Sequence, residues 1–338
     1  MRKHVLVIGS TGTMGRYVVP SLVAQGYRVT GLSLDDEVPC SDQVTCIKGN
    51  AMDKEYMTRL LTGQRFDGII NFMSYPAKYP FTEWYRLFLD NTDHFIFLSS
   101  CRVYADEEWP VKETSPRLLD VSKDEALLAS NDYCMHKARA EDLLWASGYK
   151  NFTIVRPATI YSADRLALTT LETTNVLGRA RRGKKVVLPI QCKDKPATLC
   201  WGGDVGPQIA HLIFKPEAMG EAFNVCSSES RTWGEIAEYY HTLCGLEAVW
   251  VDKEDYLRIK SSKDPVDTGS RWQLEYARMF HRITDNSKVL KVTGLKQETC
   301  IPLFEGLKKM IAEVPAHKEF PENGVDARMD AYLEEHGL

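Results

Sequence analysis

A glycine-rich turn stands between a short apolar run and a helical pattern at the start of the chain. The run Val5–Ile8 is continuous and rich in β-branched residues, Gly-Ser-Thr-Gly-Thr-Met-Gly follows at 9–15, and a helical pattern at 16–25 ends at Gly26. Such an uninterrupted run is typical of a strand buried on both faces of a parallel sheet. Glycines at this spacing allow a tight turn, close approach of a pyrophosphate and close helix packing. The segment therefore predicts a strand–turn–helix unit that binds a dinucleotide at the helix N-terminus.

The following residues alternate between apolar runs and helical patterns. Further strands are predicted at 27–32, 44–47, 68–72, 95–98 and 152–155. Helical patterns separate most of them, for example at 54–61 and 133–147. Because parallel strands need crossover connections, the alternation predicts an α/β fold with a Rossmann-like, doubly wound parallel sheet. The glycine-rich turn follows the first strand of this pattern, which favours dinucleotide binding over a turn without a ligand.

The chain length and the positions of Pro and Gly indicate two parts that differ in their sequence pattern. A chain of 338 residues suits two lobes or one large α/β unit. Residues 1–165 are predicted to form a dinucleotide-binding domain, with 196–228 returning to it through a strand at 220–225. In 166–338 the alternation of predicted strands and helices is less regular and is interrupted by Pro and Gly. We expect this second part to be mainly a smaller C-terminal α/β lobe that binds the substrate.

Composition and charge exclude several classes of protein. The formal net charge is −4, whereas a general nucleic-acid binder is normally basic. No apolar run approaches the roughly 18 residues of a membrane span, and the N-terminus has no signal-peptide pattern. The nine cysteines form no CxxC pair, so neither a disulfide framework nor a metal site is predicted. We expect a cytoplasmic protein with a small-molecule ligand and with no nucleic-acid or membrane partner.

Residues after the second and third strands bear on the type of nicotinamide cofactor. Ser33 stands where a carboxylate would bind the ribose of NAD and an arginine the phosphate of NADP. Asp35 and Asp36 follow it, and no arginine is adjacent. Three residues after the third strand are placed to contact adenine, although a loop before a helix explains them equally well: Asn50, Ala51 and Met52. Both NAD and NADP therefore stay open.

Two Tyr-x-x-x-Lys pairs occur in the chain. Tyr133 and Lys137 lie in a predicted helix between strands five and six, so their side chains project from one face. A nearby ammonium group favours a phenolate, and a tyrosine with a lowered pKa can exchange a proton with a substrate hydroxyl or ketone. Spacing alone is a weak signal in a chain with 15 tyrosines. The second pair, Tyr256–Lys260, lies outside the Rossmann-like part, and we predict no catalytic role for it.

The fifth strand ends in two serines, Ser99 and Ser100. Ligands of such sheets bind at the carboxyl ends of the strands, so these hydroxyl groups are well placed to hold a substrate oxygen. A serine pair that only ends the strand is the alternative. The glycine-rich turn and Tyr133–Lys137 favour the functional interpretation.

Motifs over residues 4–310 occur together in one known family. They include Ser-Ser-Cys-Arg-Val-Tyr at 99–104, Tyr-Cys-Met-His-Lys at 133–137 and Val-Arg-Pro-Ala-Thr-Ile-Tyr at 155–161. With the glycine-rich turn, they resemble the extended short-chain dehydrogenase/reductase family and its NAD-dependent epimerase/dehydratase branch. The resemblance implies a homodimer in which Ser100 is the catalytic hydroxyl, Tyr133 the acid/base, and Lys137 the ligand of the nicotinamide ribose. The other cofactor contacts that it implies are Gly9, Thr11, Gly12, Thr13, Met14, Gly15 and Pro157.

Departures from the family pattern reduce the number of reactions that the resemblance implies. The 4,6-dehydratases carry Thr-Asp-Glu where this chain has Ser100, Cys101 and Arg102, so the carboxyl pair for loss of water is missing. The resemblance then implies an epimerase that oxidises a nucleotide sugar transiently to a keto intermediate. A reductase or dehydrogenase of a sugar nucleotide or small carbonyl stays open. So does a non-catalytic cofactor-sensing or RNA-associated protein on the same fold, although the net charge and the Ser-Tyr-Lys set argue against it.

Candidate substrate ligands lie in the second half of the chain. Tyr161 follows the Arg-Pro turn, where family members contact the sugar nucleotide. Arg179, Arg181 and Arg182 form a basic cluster ahead of Gly183, and arginine suits bidentate phosphate contacts. We expect Arg179 and Arg182 to hold a diphosphate, with a solvated helix end as the equal alternative.

Overall fold

The structure is a computed structural model that describes residues 2–35, 41–263 and 265–338. The strands are β1 His4–Ile8, β2 Arg28–Ser33, β3 Val44–Lys48, β4 Gly68–Asn71, β5 His94–Leu98, β6 Phe152–Pro157, β7 Thr159–Tyr161, β8 Val186–Pro189, β9 Pro196–Ala197, β10 Leu199–Trp201, β11 Glu221–Val225, β12 Arg231–Thr232 and β13 Ala248–Val251. The helices are α1 Gly15–Ala24, α2 Lys54–Gly63, α3 Tyr85–Leu89, α4 Leu118–Val121, α5 Glu125–Ala129, α6 Tyr133–Ala146, α7 Thr173–Arg181, α8 Gly202–Leu212, α9 Trp233–Cys244, α10 Lys253–Lys260, α11 Thr268–Gln273, α12 Ser287–Thr293, α13 Leu303–Glu313 and α14 Gly324–Glu335.

A seven-stranded parallel sheet forms the centre of the first part of the molecule. Its spatial order is β11-β6-β5-β4-β1-β2-β3. The chain moves outward from β1 in both directions, so the strand order reverses between β1 and β4. In open α/β sheets, ligands bind at such a switch point, outside the carboxyl ends of the strands. The Rossmann-like α/β fold predicted from the sequence is confirmed.

The sheet is covered on both faces because its strands are apolar on both sides. All five residues of β1 are buried. Val5 and Val7 belong to a hydrophobic core that includes residues of α1 and α8, whereas Leu6 and Ile8 belong to a core on the opposite face. Successive side chains of a strand point to opposite faces, so one apolar run contributes to both cores.

The predicted return of the chain to the sheet is present as the edge strand β11. It pairs in parallel with β6, with Phe223 opposite Val155. The chain then leaves the sheet again and builds a further hydrophobic core, which we call the C-terminal core. It contains buried residues between Tyr161 and Leu333, among them Trp233 and Tyr256. Among the described residues, no helix is both long and apolar enough to span a membrane.

Candidate active site

The glycine-rich turn folds back against the end of β1 and leads into α1. Gly9 has a φ of 82°, which is in the left-handed region that glycine adopts without strain. A Cβ atom on Gly15 would overlap the carbonyl oxygen of Gly9, so the start of α1 packs against the turn at a distance that only glycine permits. A Cβ on Gly12 would meet only that same oxygen, at 3.4 Å. The backbone at Gly12 is thus open to close approach by a ligand.

The start of α1 offers unpaired amides to an anion. Met14 precedes the helix and makes no side-chain cap. Within the described part of the chain, the backbone N–H groups of Thr11, Thr13 and Met14 have no hydrogen-bond acceptor. Amides at a helix N-terminus, together with the positive end of the helix dipole, bind phosphate groups. The turn therefore fits the pyrophosphate of a dinucleotide.

The adenosine side of the predicted cofactor site lies beyond β2 and β3. Ser33, at the end of β2, is buried, and its hydroxyl accepts a hydrogen bond of 3.2 Å from the Asp35 backbone N–H. Asn50 accepts one of 3.0 Å from the Met52 N–H, next to the buried Ala51. Asp36 lies outside the described residues. The tip of β2 thus carries a hydroxyl group rather than the acidic side chain or arginine that distinguishes NAD from NADP.

Ser100 and Tyr133 meet in one cleft at the carboxyl edge of the sheet. The cleft has a volume of about 340 Å³ and also contacts Met14 of the glycine-rich turn and Pro157 at the end of β6. Ser100 follows β5, whereas Tyr133 is the first residue of α6. The Ser100 hydroxyl accepts a hydrogen bond of 3.2 Å from the Arg102 backbone N–H, and it lies close enough to Tyr133 to lower the pKa of the phenol. The structure thus brings together a serine, a tyrosine and the predicted cofactor turn from three separate segments.

Lys137 is buried one helical turn beyond Tyr133. Its Nζ donates hydrogen bonds to the carbonyl oxygens of Leu98, at 2.6 Å, and Met73, at 3.3 Å. These carbonyls lie at the ends of β5 and just after β4, so the ammonium group sits beside the switch point of the sheet. Burial lowers the pKa of Lys137 to about 7, and Glu141 opposes this shift.

The pKa of the Tyr133 phenol is shifted in the direction opposite to the one expected from the sequence. Burial raises the pKa of the Tyr133 phenol, and the Arg102 guanidinium and the Ser100 hydroxyl only partly oppose this. The expected lowering by Lys137 is wrong because the Lys137 ammonium is held by backbone carbonyls, 5.8 Å from the centre of the tyrosine ring. The guanidinium carbon of Arg102 is closer, at 5.1 Å. Tyr133 is therefore a protonated phenol in the resting site.

Three arginines line the cleft opposite the hydroxyl groups. Arg102 lies in the short 3₁₀ turn Cys101–Val103, Arg165 follows β7, and Arg278 ends the π-helical turn Leu274–Arg278. Sequence reasoning noted Arg102 only as a departure from a family pattern and missed Arg165 and Arg278. The latter two come from irregular turns, and no local pattern marks their convergence.

The predicted substrate ligands of the second half lie elsewhere. Tyr161 is fully buried in the C-terminal core, with its hydroxyl packed against the backbone of Gly306. Arg179 has 0% exposure and pairs with Asp326 and Asp330 of α14, at 3.4 and 2.6 Å. A side chain without solvent access is not available to a diphosphate, so the structure differs from both predictions.

The remaining arginines of the basic cluster also hold the C-terminal segment. Arg182 donates to the Phe320 carbonyl oxygen at 2.7 Å, and Arg181 donates to the Lys318 carbonyl oxygen at 2.7 Å. Lys184 pairs with Asp330 at 2.6 Å. Arg181 and Arg182 also line a cavity of about 650 Å³ that is separate from the cleft, so only Arg179 is closed to a ligand. The basic cluster is the anchor of the last 24 residues.

The second Tyr-x-x-x-Lys pair is enclosed in the C-terminal core. The Tyr256 hydroxyl is hydrogen-bonded to the Thr170 hydroxyl at 2.6 Å, and Tyr256 has 0% exposure. Lys260 donates to the Thr170 carbonyl oxygen at 3.0 Å. Neither residue contacts the cleft.

Comparison with known proteins supports the interpretation of the turn and the fold. A sequence-family model described as NAD(P)H-binding matches residues 9–184, which is just over half of the chain and includes the whole glycine-rich turn. No curated protein matches the chain at a significant level.

Solved structures with the same fold are distant in sequence. An epimerase from Methanothermobacter thermautotrophicus is 17% identical, with a TM-score of 0.69, over 92% of this chain and 91% of that chain. A UDP-glucose 4-epimerase from Thermotoga maritima, solved with UDP-glucose, is 19% identical, with a TM-score of 0.67, over 91% and 97%. A UDP-glucuronic acid 4-epimerase from Bacillus cereus, in complex with UDP-glucuronic acid and NAD, is 14% identical, with a TM-score of 0.66, over 91% and 98%. These likenesses confirm, at the level of the fold, the resemblance to NAD-dependent epimerases.

Proposed function

The chain belongs to the NAD(P)H-binding family, and from this premise we propose that it is an NAD(P)-dependent epimerase of a nucleotide sugar. The sugar hydroxyl is oxidised transiently to a ketone and then reformed with the opposite configuration. The observation that carries the proposal is the single cleft in which Ser100 and Tyr133 lie beside Met14 of the glycine-rich turn. The fold shared with nucleotide-sugar epimerases supports the choice of substrate class.

The bound nicotinamide supplies the hydride acceptor and donor of this reaction. The turn amides would hold the pyrophosphate of the dinucleotide. Lys137 is 1% exposed and does not line the cleft, but one of its three ammonium donors is unused by the described residues and would hold the nicotinamide ribose. Because the Lys137 ammonium group is fixed by the Leu98 and Met73 carbonyls, it is positioned before any ligand arrives. Such preorganisation lowers the cost of holding a reactant in one orientation.

The proton chemistry belongs to Tyr133 and Ser100. In the oxidative half, Tyr133 as a phenolate accepts the proton of the substrate hydroxyl, and in the reductive half the phenol returns that proton to the ketone oxygen. Ser100 hydrogen-bonds to the same oxygen. Arg102, 5.1 Å from the tyrosine ring, stabilises the phenolate when it forms.

One observation favours a second candidate, a one-way NAD(P)H-dependent reductase of a sugar nucleotide or small carbonyl. Burial raises the pKa of Tyr133, so the phenol is the resting form. A phenol is ready to donate a proton to a ketone, whereas oxidation must first remove that proton. The consumption of cofactor separates the candidates, because an epimerase recycles it and a reductase uses one equivalent per turnover.

The test is incubation with a panel of UDP-, GDP-, CDP- and dTDP-sugars, each with NAD(H) or NADP(H). We expect one nucleotide sugar to be converted to its epimer with no net change in the absorbance of reduced nicotinamide. Stoichiometric loss of reduced cofactor would replace the epimerase by the reductase. If no nucleotide sugar binds or reacts while the cofactor still binds, the substrate class is wrong and the family assignment is unaffected.

A further inference from the structure

The cleft is lined by cationic side chains and by no acidic ones. Arg102, Arg165 and Arg278 form part of its wall, and within the described residues no Asp or Glu lines it. The arginines are fixed in different segments of the chain, two of them in short helical turns. Three guanidinium groups converging on a volume of about 340 Å³ produce a strongly positive local potential.

Two of these arginines pair with carboxylates that do not line the cleft. Asp132, the residue before α6, pairs with Arg102 at 3.2 Å, and Glu172 pairs with Arg165 at 3.1 Å. Neither carboxylate is among the residues that line the cleft. Asp132 also caps α6 by accepting from the Cys134 N–H, so its charge is shared with the helix start. The pairs hold the arginines in place without covering their open sides.

Among the described residues, no carboxylate forms an ion pair with Arg278. Its exposure is 9%, and its hydrogen bonds are to the Thr169 carbonyl oxygen at 2.7 Å and the Thr159 hydroxyl at 3.5 Å. Burial lowers the pKa of Arg278 to about 10, the neighbouring Arg102 and Arg165 lower it further, and Glu172 partly opposes the shift. A buried cation that lacks a counter-charge is costly to a folded protein, and an anionic ligand relieves that cost.

Arg102 has a further unused donor beside the reacting groups. Its side chain is 13% exposed, and its Nε is buried with no hydrogen-bond acceptor in the described part of the chain. It is two residues beyond Ser100 and lies over the ring of Tyr133. An anion bound here is therefore next to the position where proton transfer is proposed, in the cleft that also contacts Met14 of the glycine-rich turn.

We propose that the cleft recognises a substrate that carries an anionic group, a carboxylate or a phosphate, on the part of the molecule that reacts. The group lies against Arg102 and Arg278, with Arg165 at the more exposed side of the cleft. This inference rests on the proposed function and narrows it, since a neutral sugar would leave the buried Arg278 without a paired anion. Arginine forms strong, charge-assisted hydrogen bonds with both carboxylate and phosphate oxygens.

The test uses two probes that share one nucleotide, UDP-glucose and UDP-glucuronic acid, and measures Kd and kcat/KM of each with the cofactor-loaded protein. The second probe differs by a carboxylate on the sugar, so it reports on the reacting end and not on the diphosphate. We expect the wild-type protein to favour the acid at least about tenfold. Arg102→Gln should weaken the acid roughly 10- to 100-fold more than it weakens UDP-glucose.

Matched variants separate charge from folding. Arg102→Lys keeps the positive charge and should retain most of the preference for the acid. Arg165→Gln changes a more exposed side chain and should reduce the preference for the acid by a smaller factor. It replaces Arg102→Gln in the test if that variant does not fold. Arg59→Gln, an exposed arginine in α2, is the control and should change neither probe.

Each contrary result has a distinct meaning. If the wild type binds both probes within about twofold, or if Arg102→Gln weakens both equally, the arginines hold the diphosphate or the fold, and the inference is overturned while the proposed function remains. If only sugars of another nucleotide bind, the same comparison is made between the neutral and the acidic sugar of that nucleotide. If no nucleotide sugar binds although the cofactor does, the nucleotide-sugar function fails, and the inference fails with it.

Discussion

The cleft and the C-terminal core contain the same kinds of side chain, namely a Tyr-x-x-x-Lys pair and a group of three arginines. In the core, Tyr256 is bonded to Thr170, and Arg179 is bonded to Asp326 and Asp330. In the cleft, Tyr133 faces a cavity beside Ser100, and no carboxylate of the described part of the chain pairs with Arg278. The same residue types thus have a stabilising role where their polar groups are hydrogen-bonded or ion-paired within the protein. They become candidates for function where a cavity leaves those groups open to a ligand.

The largest expected contrast is in turnover of the two tyrosine variants. Tyr133→Phe removes the proposed acid/base and should lower kcat by roughly 10²- to 10⁴-fold on the substrate that the panel identifies. Tyr256→Phe removes a hydroxyl that only contacts threonines, so kcat per folded protein should stay within about twofold. Steady-state kinetics of the two variants measured side by side decide this. Equal losses in both variants would remove the functional distinction between the regions.

The next contrast concerns the stability supplied by the basic cluster. Arg179→Met leaves the buried Asp326 without its closest cation and should lower the free energy of unfolding by about 3–5 kcal/mol. Arg59→Met, at an exposed pair, should change it by less than about 0.5 kcal/mol. Chemical denaturation of both variants provides the measurement. An Arg179→Met protein that keeps its stability but loses substrate binding would restore the diphosphate clamp.

A smaller effect follows from the buried Lys137 and depends on pH. Its pKa is lowered by burial from 10.5 to about 7, so between these values the unfolded chain holds a proton that the folded chain has released. The free energy of unfolding should therefore rise with pH in this window, by at most about 1.4 kcal/mol per unit, and be independent of this group below pH 7. Lys137→Met should lack the rise, and Lys54→Met, an exposed control, should keep it. Parallel curves for wild type and Lys137→Met would contradict the burial of an ionisable lysine.

Local patterns explain why much of the cleft was predictable. The apolar run of β1 and the three glycines after it act within 15 residues, and the structure has the strand, turn and helix that they predict. Ser100 could be expected at the ligand-binding edge because it follows the carboxyl end of a parallel strand, whereas its place beside Tyr133 was implied by the family resemblance.

Long-range pairing explains what the sequence did not reveal. The partner of Arg179, Asp326, lies 147 residues later in the chain. No hydrophobic periodicity or motif in the sequence predicts where the helix that carries Asp326 packs. Arg165 and Arg278 reach the cleft from irregular turns, and each looks ordinary in its own segment. The pKa of Tyr133 was expected to fall because spacing brings Lys137 near. Burial instead raises it, and burial is a property of the whole fold.

The most direct test of the central claim follows a hydrogen label through the cleft. A nucleotide sugar that reacts in the panel is prepared with deuterium on the carbon that bears the reacting hydroxyl and is mixed with cofactor-loaded wild type, Tyr133→Phe and Tyr256→Phe. We predict that in the wild type and in Tyr256→Phe the deuterium passes to the cofactor and back, so that it is retained on the inverted carbon of the epimer, and that Tyr133→Phe forms almost no labelled epimer. Label transfer in Tyr133→Phe at the wild-type rate would contradict the assignment of the proton chemistry to Tyr133 and its cleft.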